Sequence, residues 1–143
     1  MQRFVSILII GAVGYFALNQ AGLLDQFATL SSDSDLTIQE AFENHLSDLQ
    51  VTGAGEVTHL LSDDNVGSRH QRFILKTSSG QTLLVAHNID LAPKISSLRK
   101  GDRVEFSGEY EWNSKGGVIH WTHHDPQGTH TAGWLEHNGR KYQ

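Results

Sequence analysis

Beyond residue 50, apolar and polar residues alternate with a period of two, which indicates β-strands rather than helices. In the clearest run, "HQRFILKT", Phe73 and Leu75 alternate with Arg72, Ile74 and Lys76. Strands are predicted over residues 55–62, 70–77, 81–88, 99–112 and 118–124. The apolar sides of these strands should form the core, with Phe73, Leu75, Val85, Val104 and Phe106 fully buried.

Two stretches have helical features. Residues 38–49 place apolar side chains at helical spacing, and Thr37 with Glu40 forms a capping box before them. His45 lies on the apolar stripe of this segment and is predicted to be a satisfied core histidine. Residues 89–98 are predicted to form a short second helix, with Asp90 as its N-cap.

The order of these elements predicts the fold. Three strands, a helix and two further strands are the order of an OB-fold, a small Greek-key barrel. In the tail, Asn138–Gly139 is a strong hairpin signal. That turn would pair Leu135 with Tyr142 and Glu136 with Lys141. We therefore expect a mainly β chain: a five-stranded OB-like barrel with a preceding amphipathic helix, a short inter-strand helix and a C-terminal hairpin.

The N-terminus predicts a membrane segment. After Arg3, residues 4–18 carry no charge, as in a signal peptide or a short anchor. The expected division is residues 1–24 as an anchor or uncleaved signal, 25–36 as a polar acidic linker, and 37–143 as the barrel with its leading helix. Because no further Lys or Arg occurs before Arg69, the positive-inside rule predicts an inner-membrane anchor with the domain in the periplasm or otherwise outside the cytoplasm. Cleavage would instead release a secreted domain.

Charge and cysteine content narrow the chemistry. The net charge is −5, and the first fifty residues carry the acidic excess. A barrel without basic excess lacks the electrostatic footprint of a nucleic-acid binder, so charge does not support nucleic acid as a partner. The chain has no cysteine, so any metal site must use His, Asp or Glu.

The histidines suggest a metal site. Strand alternation sends His59 and His87 inward beside apolar neighbours, and His120 would join them in one of the two registers of the fifth strand. Three imidazoles with an open position suit a divalent, zinc-type ion. The alternative ligands lie in "HWTHHDPQGTH": His123, His124 and His130. The plainer interpretation is a polar barrel rim whose histidines bond to one another and to carbonyls.

A second group suggests anion binding. Arginine binds phosphate or carboxylate in bidentate fashion, and a His beside an Asp can act as a general base. The predicted ligand-binding residues are Arg69, His70, Arg72 and Asn88, and the candidate catalytic residues are His87 and Asp125. The alternative interpretation is that the two arginines are solvated strand residues. Asp90, which could orient a histidine, is better explained as the N-cap of the predicted helix. For the aromatic residues Tyr110, Trp112, Trp121 and Trp134, core packing is the default interpretation, and a stacking groove is the alternative.

Four motifs carry a resemblance to a known family. "GSRHQRF", "LLVAHNIDLAP", "GDRVEFSGEYEWN" and "GGVIHWTHHDP" together resemble the uncharacterised bacterial domain-of-unknown-function family 3465. The likeness covers roughly residues 38–143. It implies a small bacterial protein, often with an N-terminal export or anchor segment, and it supplies no activity.

Three functions follow from these residues. The first is an anchored extracytoplasmic binding module with a His/Arg-rich site for a divalent metal or a small anionic ligand. The second is a hydrolase of phosphate esters, of the phosphodiesterase or nuclease kind, that uses the same residues. The third is a module that interacts with another envelope protein. The sequence leaves open whether the chain is an enzyme.

Overall fold

The computed structural model describes residues 34, 35 and 37–143. A short helix, α1, of which residues 34, 35 and 37–43 are described, precedes seven strands. The strands are β1 (Leu49–Leu60), β2 (His70–Lys76), β3 (Thr82–Asn88), β4 (Arg103–Glu111), β5 (Val118–His120), β6 (Trp134–His137) and β7 (Arg140–Tyr142).

The first five strands close into the predicted OB-like barrel. They follow the order β1-β2-β3-β5-β4, and β4 pairs back onto β1. The β3–β5 pair is parallel, whereas every other neighbouring pair in this barrel is antiparallel. β1 is long enough to pair with both of its neighbours, and a register shift between Val57 and His59 interrupts its pairing with β2.

The predicted core is confirmed. Its five named side chains have no exposed surface, and further inward residues of β1, β3, β4 and β5 complete the cluster. Tyr110 is also fully buried, and its hydroxyl donates to the Gly116 carbonyl at 3.0 Å. The other three aromatic residues considered for a stacking groove, Trp112, Trp121 and Trp134, are only half-buried.

The C-terminal hairpin has the predicted register. β6 and β7 pair Leu135 with Tyr142 and Glu136 with Lys141. Asn138 and Gly139 both adopt positive φ, 51° and 76°, as a two-residue turn of this type requires. The hairpin extends the sheet beyond the barrel through the pairing of β6 with β4.

The leading helix ends at residue 43, earlier than predicted, because the chain turns through residues 44–48 to enter β1. His45 and Asp48 adopt left-handed backbone conformations, with φ of 54° and 59°. Leu49 then begins β1 opposite Tyr110. The prediction of a buried His45 is wrong: its ring is exposed and lies 4.2 Å from the Trp112 ring.

Residues 89–98 form turns rather than the predicted inter-strand helix. Their backbone groups bond to side chains of neighbouring strands. Both the N–H and the carbonyl of Ile95 bond to the Gln71 amide, at 2.9 Å each, and the Pro93 carbonyl accepts from His87. Asp90 does not cap a helix, since its carboxylate binds Arg69.

The predicted membrane segment, residues 1–24, lies outside the described residues. Of the predicted linker, 25–36, only Ser34 and Asp35 are described, and both belong to α1. Within residues 34, 35 and 37–143, no helix has the length and apolar character needed to cross a membrane.

Candidate functional site

A polar group lies on the outer surface of the barrel where β4 and β5 pair. Glu109 stands directly opposite His120 in this antiparallel pair, and Glu111 stands opposite Val118. Side chains alternate along a strand, so burial of Tyr110 and Ile119 turns Glu109, Glu111 and His120 outward. We call these three residues the carboxylate–histidine triad.

The triad has the composition and spacing of a metal site. The Nε2 atom of His120 lies 3.5 Å from a Glu111 carboxylate oxygen and 3.8 Å from one of Glu109. The ligating atoms all lie within 4.8 Å of one another. His120 Nε2 is itself shielded from solvent, and no hydrogen-bond partner reaches it. Within the part of the chain that the structure describes, no other group of three His, Asp or Glu residues meets this spacing.

His130 holds the other side of Glu109. Its Nε2–H donates to Glu109 Oε2, and its Nδ1–H donates to the Thr131 carbonyl at 2.8 Å. Both ring nitrogens therefore face acceptors, which suits the imidazolium form. The Thr131 carbonyl raises the pKa of His130 most, and Glu109 raises it further against the opposing effect of burial.

Trp121 packs on His130, the partner of Glu109, and adopts an unusual backbone conformation. Its φ is 54°, which a bulky residue rarely adopts. Its ring stacks on His130 at 3.9 Å with an interplanar angle of 8°. A protonated imidazole on an indole face gains a cation–π attraction, so the stack favours the charged form of His130.

A pocket of about 230 Å³ adjoins the triad. It brings together residues from both predicted groups, and its walls are Ser68, His70, Ala86, Asn88, Leu91, His120, Trp121 and His123. The volume is below the roughly 300–1,000 Å³ typical of drug-sized ligands, so it suits only a small ligand.

Backbone carbonyls orient two histidines of this pocket. His70 Nδ1 lies 2.8 Å from the Ser68 carbonyl, and His123 Nδ1 lies 2.7 Å from the His124 carbonyl. Each Nδ1 therefore carries the proton, and in the neutral ring Nε2 is left as an acceptor or ligand atom. Asn88 adds a donor, because its Oδ1 accepts from the Asp90 N–H and its amide nitrogen stays available.

The predicted metal set of His59, His87 and His120 is not brought together. His59 is exposed beyond the β1 bulge, His87 is fully buried inside the barrel, and His120 faces outward. The physical reason is register. Ile119 occupies the inward position of β5, so its neighbour His120 points to the opposite face.

His87 is a satisfied core histidine rather than an exposed base. Its Nδ1 lies 2.7 Å from the Thr122 hydroxyl, and its Nε2 lies 3.0 Å from the Pro93 carbonyl. Burial lowers the pKa of His87 to about 4, although the Pro93 carbonyl partly opposes the shift. Both ring nitrogens are engaged, so no ring atom is left for a substrate.

Asp125 organises a loop. Its carboxylate accepts hydrogen bonds from the backbone N–H groups of Gln127, Thr129 and His130 and from the Thr129 hydroxyl, at 2.9–3.0 Å. These bonds, the Gln127 N–H first, lower the pKa of Asp125 to about 2. The carboxylate holds His130 in place and lies outside the triad. His124, an alternative metal ligand, is exposed.

The two arginines do not form the predicted anion clamp. Arg69 binds the Asp90 carboxylate through Nε at 2.7 Å, and the Arg69 backbone N–H, followed by this guanidinium, lowers the pKa of Asp90. Arg72 donates from Nε and Nη2 to the Ser62 carbonyl, at 3.1 and 2.9 Å. Both side chains thus support the turn between β1 and β2.

Sequence reasoning missed Glu109 and Glu111. The available signal was "EYE" in β4, in which two carboxylates flank an apolar residue and so share the face opposite to it. Pairing β4 with β5 through the "NSKGG" turn would then have set them beside the outward residues of β5.

Comparison with known proteins gives a family. A family model described as "Protein of unknown function (DUF3465)" matches residues 21–143. No curated protein matches the chain. The match supplies no substrate or ligand.

Proposed function

This chain belongs to the DUF3465 family, and on that premise we propose that its barrel is a binding module for a divalent metal ion. The proposed ligands are Glu109, Glu111 and His120. The observation that carries the proposal is the buried Nε2 atom of His120, which lacks a hydrogen-bond partner and lies near two carboxylate oxygens.

The donor spacing supports this assignment. Metal–ligand bonds of about 2.1 Å at tetrahedral angles place two donor atoms about 3.4 Å apart. The distances from His120 Nε2 to the carboxylates, 3.5 and 3.8 Å, need only a small closure to reach that value. Imidazole and carboxylate donors suit zinc and neighbouring divalent metals.

Charge supports it as well. The two carboxylates attract a divalent cation, although the His130 imidazolium offsets one of their two negative charges. His130 contacts only Glu109 Oε2 and so leaves Oε1 facing His120. A hydrogen bond to the second oxygen of a ligating carboxylate is a common way to orient it. His130 and Trp121 would therefore be positioning residues for Glu109.

The adjoining pocket supports a small anionic co-ligand. His120 belongs to the triad and also lines the pocket. An anion in the pocket would therefore reach an open position on the metal. The Asn88 amide would donate to its free oxygens. A single carboxylate or phosphate group fits the volume of 230 Å³.

We further propose that the barrel works outside the cytoplasm on an N-terminal membrane anchor. The uncharged run of residues 4–18 after Arg3 supports this location.

Elemental analysis tests the metal proposal. The full chain, purified without a histidine tag or chelator, should contain about one divalent ion per chain. Glu111→Gln and His120→Gln should each remove it, because either change deletes one of three donors. The matched controls Glu136→Gln on β6 and His124→Gln in the exposed loop should retain it. Unchanged metal content in both triad variants would refute the site.

Hydrolysis of phosphate esters is the second candidate function. It is favoured by two oriented imidazoles, His70 and His123, which line the same pocket as His120 and whose Nε2 atoms accept or donate no hydrogen bond among the described residues. A metal-bound water with a neighbouring base is a common hydrolytic arrangement. Turnover of bis(p-nitrophenyl) phosphate by the zinc-loaded chain, lost in His120→Gln and kept in His124→Gln, would establish it. Absence of turnover would leave a binding module.

A further inference from the structure

A second cavity, of about 410 Å³, lies on a different part of the barrel from the triad. Residues of β1, β2 and β3 and of the turn between β4 and β5 line it, including Leu61, Ile74, Leu84, Asn113 and Lys115. The volume falls within the roughly 300–1,000 Å³ range of small-molecule sites. We call it the apolar groove.

The floor of the groove breaks the polar pattern of the outer surface. The outward positions of β2 are otherwise His70, Arg72 and Lys76, yet Ile74 lies among them. Ile74 pairs directly with Leu84 of β3, so two large aliphatic side chains stand together outside the barrel core. Leu61 extends this surface and is 40% exposed. Contiguous exposed apolar surface of this kind marks ligand or partner sites.

One end of the groove carries hydrogen-bond donors. Lys115 is exposed in the turn between β4 and β5, and none of the ion pairs among the described residues includes it. Beside it, Asn113 Oδ1 accepts from the backbone N–H groups of Lys115 and Gly117, at 2.9 and 3.0 Å. The Asn113 amide nitrogen is therefore left as a second donor in the lining that it shares with Lys115.

The groove has the dimensions of an extended aliphatic chain. It crosses from the β4–β5 turn over β3 and β2 to the end of β1, and Leu84, Ile74 and His59 lie in successive cross-strand pairs. These pairs span two inter-strand spacings of about 4.8 Å, and the step from Leu84 to the β4–β5 turn, where the Leu84 N–H donates to the Gly117 carbonyl, adds a third, so the groove is about 14 Å long. A cationic donor end followed by an apolar floor matches a molecule with one anionic end and a hydrocarbon tail.

We propose that the apolar groove binds a medium-chain fatty carboxylate. The carboxylate would lie at Lys115 and Asn113, and the alkyl chain would lie over Leu84 and Ile74 toward Leu61. This site uses none of the triad residues, so it does not depend on the proposed metal function.

Photolabelling of the full chain tests the proposal. The probe is decanoate with a diazirine at the far end of its chain, and unlabelled decanoate and decanol are the competitors. Because the carboxylate is placed at Lys115, the label should form near Leu61 and Ile74, as located by mass spectrometry. Decanoate should compete about tenfold better than decanol, since only decanoate can pair with the ammonium group.

Matched lysine variants complete the test. Lys115→Gln should raise the decanoate concentration needed for half-maximal competition about tenfold and leave the decanol value unchanged. Lys100→Gln, which removes another exposed lysine away from the groove, should change neither value. Both lysines are exposed, so we expect neither substitution to change the folding of the barrel. Labels spread over the barrel, equal competition by the two compounds, or equal effects of the two variants would each overturn the proposal.

Discussion

The imidazole of His87 and the hydroxyl of Thr122 meet inside the barrel, with 2.7 Å between Nδ1 and Oγ1. The two residues come from β3 and from the segment after β5, and neither has exposed surface. Thr122 reaches His87 because Trp121 adopts a left-handed φ, which reverses the alternation after His120. A histidine that the sequence suggests as a ligand or base is thereby part of the core.

This pair predicts a pH-dependent loss of stability. Burial lowers the pKa of His87 in the folded state to about 4, from an ordinary value of 6.5. Well above pH 6.5 the ring is neutral in both states, so its protonation does not affect the free energy of unfolding. As pH falls from 6.5 to 4, the unfolded state binds the proton first, so His87 should remove about 3 kcal/mol of unfolding free energy.

Urea denaturation at several pH values measures this effect. His87→Gln should be less stable than the native chain at pH 7, and the difference should shrink by about 3 kcal/mol toward pH 4. The exposed control His124→Gln should stay within about 0.5 kcal/mol of the native chain at pH 7. A difference for His87→Gln that does not change with pH would contradict the assignment.

Phe106 should be a major contributor to core stability. Its ring is fully buried, and a Cβ built on Gly53 would lie 2.8 Å from it, so β1 and β4 are closely packed at this point. Phe106→Ala should lower the free energy of unfolding by about 3–5 kcal/mol in urea denaturation. The matched control Val66→Ala changes an apolar residue that is 88% exposed and should cost less than about 0.5 kcal/mol. Equal effects of the two changes would mean that the inward face of β4 is assigned wrongly.

Asp125 should protect the backbone of its own loop. Its carboxylate accepts from the N–H groups of Gln127, Thr129 and His130. Asp125→Ala should therefore speed hydrogen exchange at these three amides, as measured by NMR, while amides of β2 and β3 keep their rates. Exchange rates that stay unchanged in the loop would show that other contacts hold it.

The location of the barrel is testable with a reporter. Because Arg3 precedes the uncharged run and the next basic residue is Arg69, a reporter that is active only outside the cytoplasm should be active when fused to the C-terminus. A reporter active only in the cytoplasm should be inactive in the same fusion. The reverse pattern would exclude export, and the intact mass of the protein would distinguish a retained anchor from a cleaved signal.

Local pattern determined most of the barrel. Alternation of period two located β2 and β3 to within one residue, because inward apolar side chains repeat along each strand whatever its partners are. Asn138–Gly139 determined the register of the hairpin, since a two-residue turn allows only one pairing of its flanking residues. Residues 89–98 show where local pattern fails to predict structure. Their backbone bonds to Gln71 of β2 and His87 of β3, and these contacts with other elements hold the segment in turns instead of the predicted helix.

The candidate site was decided by tertiary structure. The sequence shows that histidines cluster near β5, but it does not determine which face of the strand each one occupies. A shift of one residue in the register of β5 moves His120 from the core to the surface. Pairing of β4 with β5 then set Glu109 opposite His120, a contact that joins two strands and that neither strand's pattern specifies alone. The left-handed φ of Trp121 sent Thr122 inward to His87 and brought the indole ring onto His130. Alternation along one strand is a local property of the chain, whereas these contacts depend on register and on a backbone conformation that only the closed barrel stabilises.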